Sequence, residues 1–243
     1  MKESTFNRWF NILIVAGMVV ATVLITLFEW GKSPDGNLLL LVAGIGSIMG
    51  VLCTVFSANG HILTFLFGFF DVSIYAVMCF IGARYGNAAL YTLFFLPMQF
   101  VGFAQWRRRG ADAQTQVRAR RFKGRQWLLY SMLFLVGSVV AYLILARFDK
   151  SAADSFIKVA VLCDAVSMIC NLLGQVLMTF AYMEQWIFWI AVNVFTIVMW
   201  AASLDGPADS YALVLVVKYV FYLLNSINGL RVWLNLSGNN ADL

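Results

Sequence analysis

What most constrains this chain is a recurrence: eight apolar runs, each close to the length of about 20 residues that a helix needs to cross a hydrocarbon core of about 30 Å, follow one another with short breaks. They fall near 9–30, 37–57, 61–83, 87–106, 127–147, 157–181, 185–203 and 210–233. Charged residues make up 12% of the chain against 62% hydrophobic, and the mean hydropathy is +0.82. Soluble domains carry about a quarter charged residues. These values call for an all-α integral membrane protein. The thinnest breaks are "SANGH", between the second and third runs, and "ARYGN", between the third and fourth. The first run follows "MKESTFNR", where a secretory signal would stand, but it is long and no small-residue cleavage site follows it, so it reads as an uncleaved span.

Lysine and arginine in short loops set orientation. The segment "WRRRGADAQTQVRARRFKGRQW", between the fourth and fifth spans, concentrates the basic residues and is expected on the cytoplasmic side. Counting outward places both termini in the cytoplasm and His61 in a solvated cytoplasmic turn. The basic loop reads as a topology determinant on anionic lipid rather than a nucleic-acid contact. Cys53, Cys79, Cys163 and Cys170 all fall within spans, without CxxC or histidines at ligand spacing, and read as small packing residues.

The spans contain an internal repeat. Phe67 and Asp71 fall on Trp189 and Asn193; Tyr91, Phe95, Met98, Gly102 and Trp106 fall on Lys218, Tyr222, Asn225, Gly229 and Trp233; Ser47 to Gly50 sits near Ser167 to Cys170. Three spans per unit, joined by one linking span, return in the same orientation. The expected core is therefore 3+1+3, two parallel three-helix repeats, with the first span outside it. The units are 1–36 (extra helix), 37–107 (first repeat), 108–148 (basic loop and linker helix), 149–233 (second repeat) and 234–243 (tail). Parallel repeats about an axis along the membrane normal are a transporter architecture, with the substrate site between the halves near the midplane.

Polar residues mark where that site should lie. Trp186, Trp189, Asn193, Thr196 and Trp200 recur three and four apart and share one face of the seventh helix. Asp164, Ser167, Asn171, Gln175 and Tyr182 share a face of the sixth, and Lys218, Tyr222, Asn225 and Gly229 a face of the eighth. Gln99, Gln105 and Asp71 supply polar groups from the first repeat. Each ionisable group inside a bilayer costs about 2.5–3.5 kcal/mol on insertion scales, so these stripes must meet each other or enclose water. Lys218 would pair with Asp164, at similar depth. Trp106 and Trp233, at span ends, read as interfacial anchors. A tryptophan face binds flat rings and attracts cations, while amides fix hydroxyls and hydrogen-bonding edges. The solute class that fits is planar, heteroaromatic and polyhydroxylated, whether neutral or cationic.

The string "EQWIFWIAVN", Glu184 to Asn193, resembles the E-Q-W-x-x-W-x-x-x-N signature of the PnuC family of bacterial nicotinamide riboside transporters. The G-x-x-x-W endings at Gly102 to Trp106 and Gly229 to Trp233, and "KYVFYLLN" from Lys218 to Asn225, are similar to it too. The resemblance spans about 37–233. It implies the 3+1+3 arrangement of the SWEET sugar transporters, a homotrimer in the bacterial inner membrane, and facilitated diffusion of nicotinamide riboside, trapped by a cytoplasmic kinase. It places Trp186, Trp189 and Asn193 at the substrate, with Gln99, Asn171, Gln175, Lys218, Tyr222 and Asn225 as further lining residues. Thiamine or another B-vitamin precursor is the alternative cargo.

No Walker sequence, HExxH, Ser-His pair or His/Cys cluster is present, so neither an enzyme nor a cofactor is expected. The reading from another class is a membrane sensor or scaffold that binds a ligand without moving it. Pro97 and the glycines of "GIGSIMG" are candidate bending points within their helices.

Overall fold

The computed structural model describes residues 3–30, 36–81, 85–148, 155–201 and 209–238. The helices are α1 (Glu3–Glu29), α2 (Gly36–Ala58), α3 (Thr64–Ile81), α4 (Tyr85–Leu90), α5 (Leu96–Arg108), α6 (Gly124–Phe148), α7 (Ser155–Thr179), α8 (Gln185–Ala201) and α9 (Asp209–Gly238), with a π-helical turn at Tyr91–Phe95 joining α4 to α5. Among the described residues there is no strand, only an isolated bridge between Arg120 and Tyr182. Among the described residues, six stretches are long and apolar enough to cross a membrane: Thr5–Phe28, Leu41–Ala58, Thr64–Ile81, Asn87–Arg108, Gly124–Arg147 and Val161–Thr179. Gln185–Val198 is a shorter apolar helix. The chain is a multi-pass membrane protein.

The π turn has a local cause. Pro97 brings no N–H to the helix ladder, and just before it the Leu96 N–H reaches back to the Tyr91 carbonyl, one residue further than α-helical spacing. The expected bend near Pro97 is thus a bulge, and it turns Tyr91 and Phe95 to the interior, their ring centroids 4.8 Å apart.

α2 and α7 end alike. After α2, Gly60 adopts φ 64 and the His61 N–H closes on the Phe56 carbonyl at 2.9 Å; after α7, Ala181 adopts φ 59 and the Tyr182 N–H closes on the Leu177 carbonyl at 2.9 Å. Both are left-handed helix caps that satisfy the last carbonyls of their helices. At Gly60 an added Cβ would meet a left-handed penalty of about 1–2 kcal/mol and stand 3.1 Å from Leu236. Gly60→Ala is therefore expected to lower the melting temperature in detergent, whereas Ala181→Gly, which relaxes the same conformation, should not.

Trp106 and Trp233 carry this symmetry across the molecule. The Trp106 indole N–H donates to the Met178 carbonyl at 2.8 Å, and that of Trp233 to the Ser57 carbonyl at 2.9 Å. Each tryptophan, near the end of one three-helix group, thus binds the end of the first helix of the other group. Both are 0% exposed, so they are not interfacial anchors but interior cross-ties. Gly102 lies under the Phe65 ring and Gly229 under the Trp186 ring, where any Cβ would collide. Phe65 and Trp186 hold the same place in α3 and α8, and this shifts the expected repeat register by one residue: Asp71 corresponds to Val192 and Val72 to Asn193.

The basic loop is a packed strap. The Val117 N–H donates to the Gly60 carbonyl at 2.9 Å, the Arg120 N–H to Ala181 at 2.7 Å, and the Met183 N–H returns to Arg120 at 2.9 Å. The loop therefore pairs with both left-handed caps. Val117, Ala111 and Ala119 are buried beneath it with Trp106, Trp233, Phe65 and Trp186. His61 stays partly exposed at this turn, with its Nε2 3.1 Å from the Ala113 carbonyl and its ring centroid 5.2 Å from that of Phe56. Arg121 closes the strap on α9, donating to Ser237 Oγ at 2.8 Å and the Leu234 carbonyl at 3.2 Å.

Glu184 anchors the same strap. Its Oε1 accepts the Phe122 N–H at 2.8 Å, while Oε2 has no partner. Burial pushes this carboxyl above its ordinary 4.5, against the opposing pull of the Phe122 N–H and the Arg121 charge. The folded protein holds the proton more tightly than the unfolded chain, so this contribution is full below about 4.5 and is lost as pH rises through the raised value. Glu184→Gln keeps the acceptor for Phe122 and is expected to flatten the decline of melting temperature over that range.

α1 is fastened by amides. Asn7 and Asn11 donate to Asn59 Oδ1 at 2.5 and 3.1 Å, Asn228 donates to Asn7 Oδ1 at 2.8 Å, and Arg231 to Asn228 Oδ1 at 2.9 Å. The extra helix is thereby tied to the end of α2 and to α9.

Candidate functional site

A cavity of about 260 Å³ lies among α2, α3, α5, α7, α8 and α9. Its residues pair at the same offsets as the caps and cross-ties. Gly50 matches Asn171, Thr54 matches Gln175 and Ser57 matches Met178, while in the next helix of each group Gly68 matches Trp189, Asp71 matches Val192, Val72 matches Asn193 and Tyr75 matches Thr196. In the third, Phe95 matches Tyr222 and Gln99 matches Ser226. Every residue of these pairs lines the cavity. The helices α2, α3 and α5 and the helices α7, α8 and α9 turn matching positions to the cavity but differ in chemistry. The second set supplies the indole of Trp189 and the amide of Asn193 where the first has Gly68 and Val72.

Depth follows from helix geometry. Asn193 stands eight residues into α8 from its Gln185 start, about 12 Å along the axis, close to the middle of a core of about 30 Å. The face expected on α8 does turn inward: Trp186, Trp189, Asn193 and Thr196 all line the cavity. Gly174, opposite, has no side chain, and the Trp189 ring fills its place; a Cβ there would sit 3.1–3.2 Å from the indole. Asn193 is 5% exposed and donates from Nδ2 to Ser226 Oγ at 3.0 Å, which fixes its amide across the α8–α9 interface. Asn171 donates to the Ser167 carbonyl at 2.9 Å, and Gln99 to the Phe95 carbonyl at 3.2 Å. Gln99 Oε1, Ser57 Oγ and the Trp186 indole N–H are buried without partners. Buried polar atoms are normally satisfied, so three orphans around one cavity suit a polar solute.

Of the expected site residues, Trp186, Trp189, Asn193, Gln99, Asn171, Gln175 and Tyr222 line the cavity. Asn225 does not. It is 1% exposed with neither amide atom bonded; Ser226, one residue on and so about 100° around α9, takes the inward position. Lys218 and Trp200 have side chains outside the described residues, so the Lys218–Asp164 pair lies there too. Asp164 is exposed on α7, and Gln105 is half-buried away from the cavity. Tyr75, Tyr91, Tyr219 and Ser226 line the cavity without having been singled out as site residues, and Asp71 belongs with them. Their signal was the repeat itself: Tyr75 and Ser226 stand at the equivalents of Thr196 and Gln99. At the basic-loop end, the rings of Phe65, Trp106, Trp233 and Trp186 close the cavity in a chain with centroid separations of 4.9, 5.5 and 6.3 Å.

A family model described as nicotinamide mononucleotide transporter matches residues 40–235, all of the cavity-bearing part of the chain. The chain belongs to the PnuC transporter family. It is 34% identical over 239 residues to the nicotinamide riboside transporter PnuC of Neisseria mucosa, covering 97% of this chain and 85% of that protein. It is 28% identical to the nicotinamide riboside transporter PnuC of Haemophilus influenzae, covering 97% and 95%. A crystal structure of the vitamin B3 transporter PnuC superposes with a TM-score of 0.66 at 34% identity, covering 93% of each chain. PnuC proteins are transporters rather than enzymes, and the "EQWIFWIAVN" signature occupies the wall where the cavity's indoles and amide converge.

Proposed function

We propose that this protein carries nicotinamide riboside across the bacterial inner membrane by facilitated diffusion. The observation that carries this reading is the mid-depth cavity lined both by the indole side chains of Trp186 and Trp189 and by the amide side chains of Asn193, Asn171, Gln175 and Gln99. Its volume of about 260 Å³ lies just below the usual range of small-molecule sites, about 300 to 1,000 Å³, and suits a solute as small as one ring and one sugar. The pyridinium lies on the indoles, the carboxamide meets Asn193, and the ribose hydroxyls meet the remaining amides. The matched cavity pairs and the reciprocal tryptophan bonds support a 3+1+3 core, with repeats over 37–107 and 149–233, a linker over 108–148 and α1 outside.

In this reading both termini and the basic strap face the cytoplasm. The ring chain under the strap is then the closed inner gate, and transport parts Trp106 and Trp233 from the opposite repeat as the two halves rock. In the same reading this protein assembles as a homotrimer, and a cytoplasmic kinase traps the vitamin as its phosphate. Titration of the purified protein with nicotinamide riboside, nicotinamide, thiamine and nicotinamide mononucleotide, followed by tryptophan fluorescence, tests the cargo. The riboside alone should bind tightly. Tight binding of thiamine in its place would overturn the cargo and keep the site.

A further inference from the structure

Asn193 on α8 and Ser226 on α9 both line the cavity, and both are buried. The Asn193 amide nitrogen donates to Ser226 Oγ at 3.0 Å. A side-chain amide has a donor end and an acceptor end of nearly the same shape, so its hydrogen-bond partner decides which end a ligand meets. Ser226 engages the nitrogen, and the carbonyl oxygen Oδ1 is the end that Asn193 keeps for a solute. Asn225, one residue earlier on α9, shows the contrast: it lies off the cavity, and neither end of its amide is bonded.

The first group of helices packs without this bond. Val72 and Gln99 hold the matching cavity positions on α3 and α5. A valine side chain has nothing to donate, and the Gln99 nitrogen turns back to the Phe95 carbonyl at 3.2 Å. An amide–serine bond between the two helices is therefore not a packing requirement of this architecture. It stands on the wall where the carboxamide of the proposed cargo is placed.

We propose that Ser226 is a positioning residue: by holding the Asn193 nitrogen it aims the Asn193 carbonyl oxygen at the ring substituent of the cargo, and so makes the site select a carboxamide over a carboxylate. The inference rests on the proposed cargo and adds how the site tells nicotinamide riboside from nicotinic acid riboside. The carboxamide nitrogen brings two N–H donors to Oδ1. A carboxylate brings acceptors only, so against Oδ1 it is desolvated without a partner. A site built around a donated N–H rejects an analogue that lacks it far more strongly than an apolar pocket rejects a change of shape. Without the serine hydroxyl, the Asn193 amide can turn over and offer its nitrogen, which suits the acid.

Calorimetric titration of the purified full-length chain tests it with three ligands: nicotinamide riboside, nicotinic acid riboside, and N-ribosylpyridinium, whose ring has no substituent. Wild type should bind the amide about 30-fold or more tightly than the acid. In Ser226→Ala that gap should narrow to about fivefold or less, while N-ribosylpyridinium stays within about threefold of its wild-type affinity. Ser226→Thr, which keeps the hydroxyl, should restore the gap. Equal weakening of all three ligands in Ser226→Ala would assign the serine to packing and overturn the inference. An undiminished gap in that variant, or a wild type that binds acid and amide alike, would overturn it with the cargo site intact. If wild type bound none of the three, the cargo reading would fall and this inference with it.

Discussion

Trp189→Ala is expected to weaken nicotinamide riboside binding about 30- to 300-fold, a loss of about 2–3.5 kcal/mol. Stacking of a base on an aromatic side chain contributes about 1–3 kcal/mol, and a cation held over an indole adds about 0.5–2 kcal/mol when desolvated. Trp189 supplies both, because the pyridinium is a flat ring and a charge at once. The indole is also held in place, seated on bare Gly174, so little ordering remains for the ligand to impose. Truncation leaves a space over Gly174 and no ring to replace it. Titration calorimetry with a parallel melting curve separates this effect from misfolding. Trp189→Phe, which keeps a ring, should recover most of the affinity. A loss under about threefold in Trp189→Ala would remove the indole from the site.

The second large effect concerns the cross-ties. Trp106→Ala and Trp233→Ala are each expected to destabilise the fold by about 3–5 kcal/mol, the usual cost of deleting a large buried aromatic side chain. Both indoles are 0% exposed, and each bonds the end of a helix in the opposite group, to Met178 and to Ser57. Truncation therefore empties interior volume and removes one of the two hydrogen bonds that each carbonyl accepts, the other coming from the N–H of Ala181 or Gly60. The phenylalanine variants should lose chiefly the hydrogen bond, about 1 kcal/mol net. Because the two ties are equivalent, the two alanine variants should melt at similar reduced temperatures in detergent. An interfacial anchor would show a small shift in either variant. A large effect at one position alone would contradict the equivalence of the halves.

The fold class was legible because a membrane imposes length and composition on every span, and both are visible in sequence. The repeat was legible where both copies kept the same residue, as at Gly102 and Gly229 or Trp106 and Trp233. Its register slipped by one where they did not: Phe67 looked like the partner of Trp189, but the cavity residue at the offset of the caps and cross-ties is Gly68, which shares no side chain with an indole. The α8 face was readable because tryptophan and asparagine stand out against aliphatic neighbours at helical spacing. The phenols of Tyr75, Tyr91 and Tyr219 did not stand out, since tyrosine is common near membrane interfaces and the π turn that directs Tyr91 inward is a three-dimensional effect of Pro97. Trp106 and Trp233 misled for the opposite reason. A tryptophan at a span end suggests the lipid interface, and only the packing of the strap over it reveals an interior. The basic loop likewise gave its charge to sequence and hid its backbone pairing with the caps at Gly60 and Ala181.

Uptake of labelled nicotinamide riboside into vesicles containing the purified protein, with no ion gradient imposed, tests the proposed function most directly. Saturable entry that stops at equal concentrations inside and out, and that fails in Trp189→Ala, is the predicted result. Entry no faster than into protein-free vesicles, despite tight binding, would contradict it and make the protein a receptor for the vitamin.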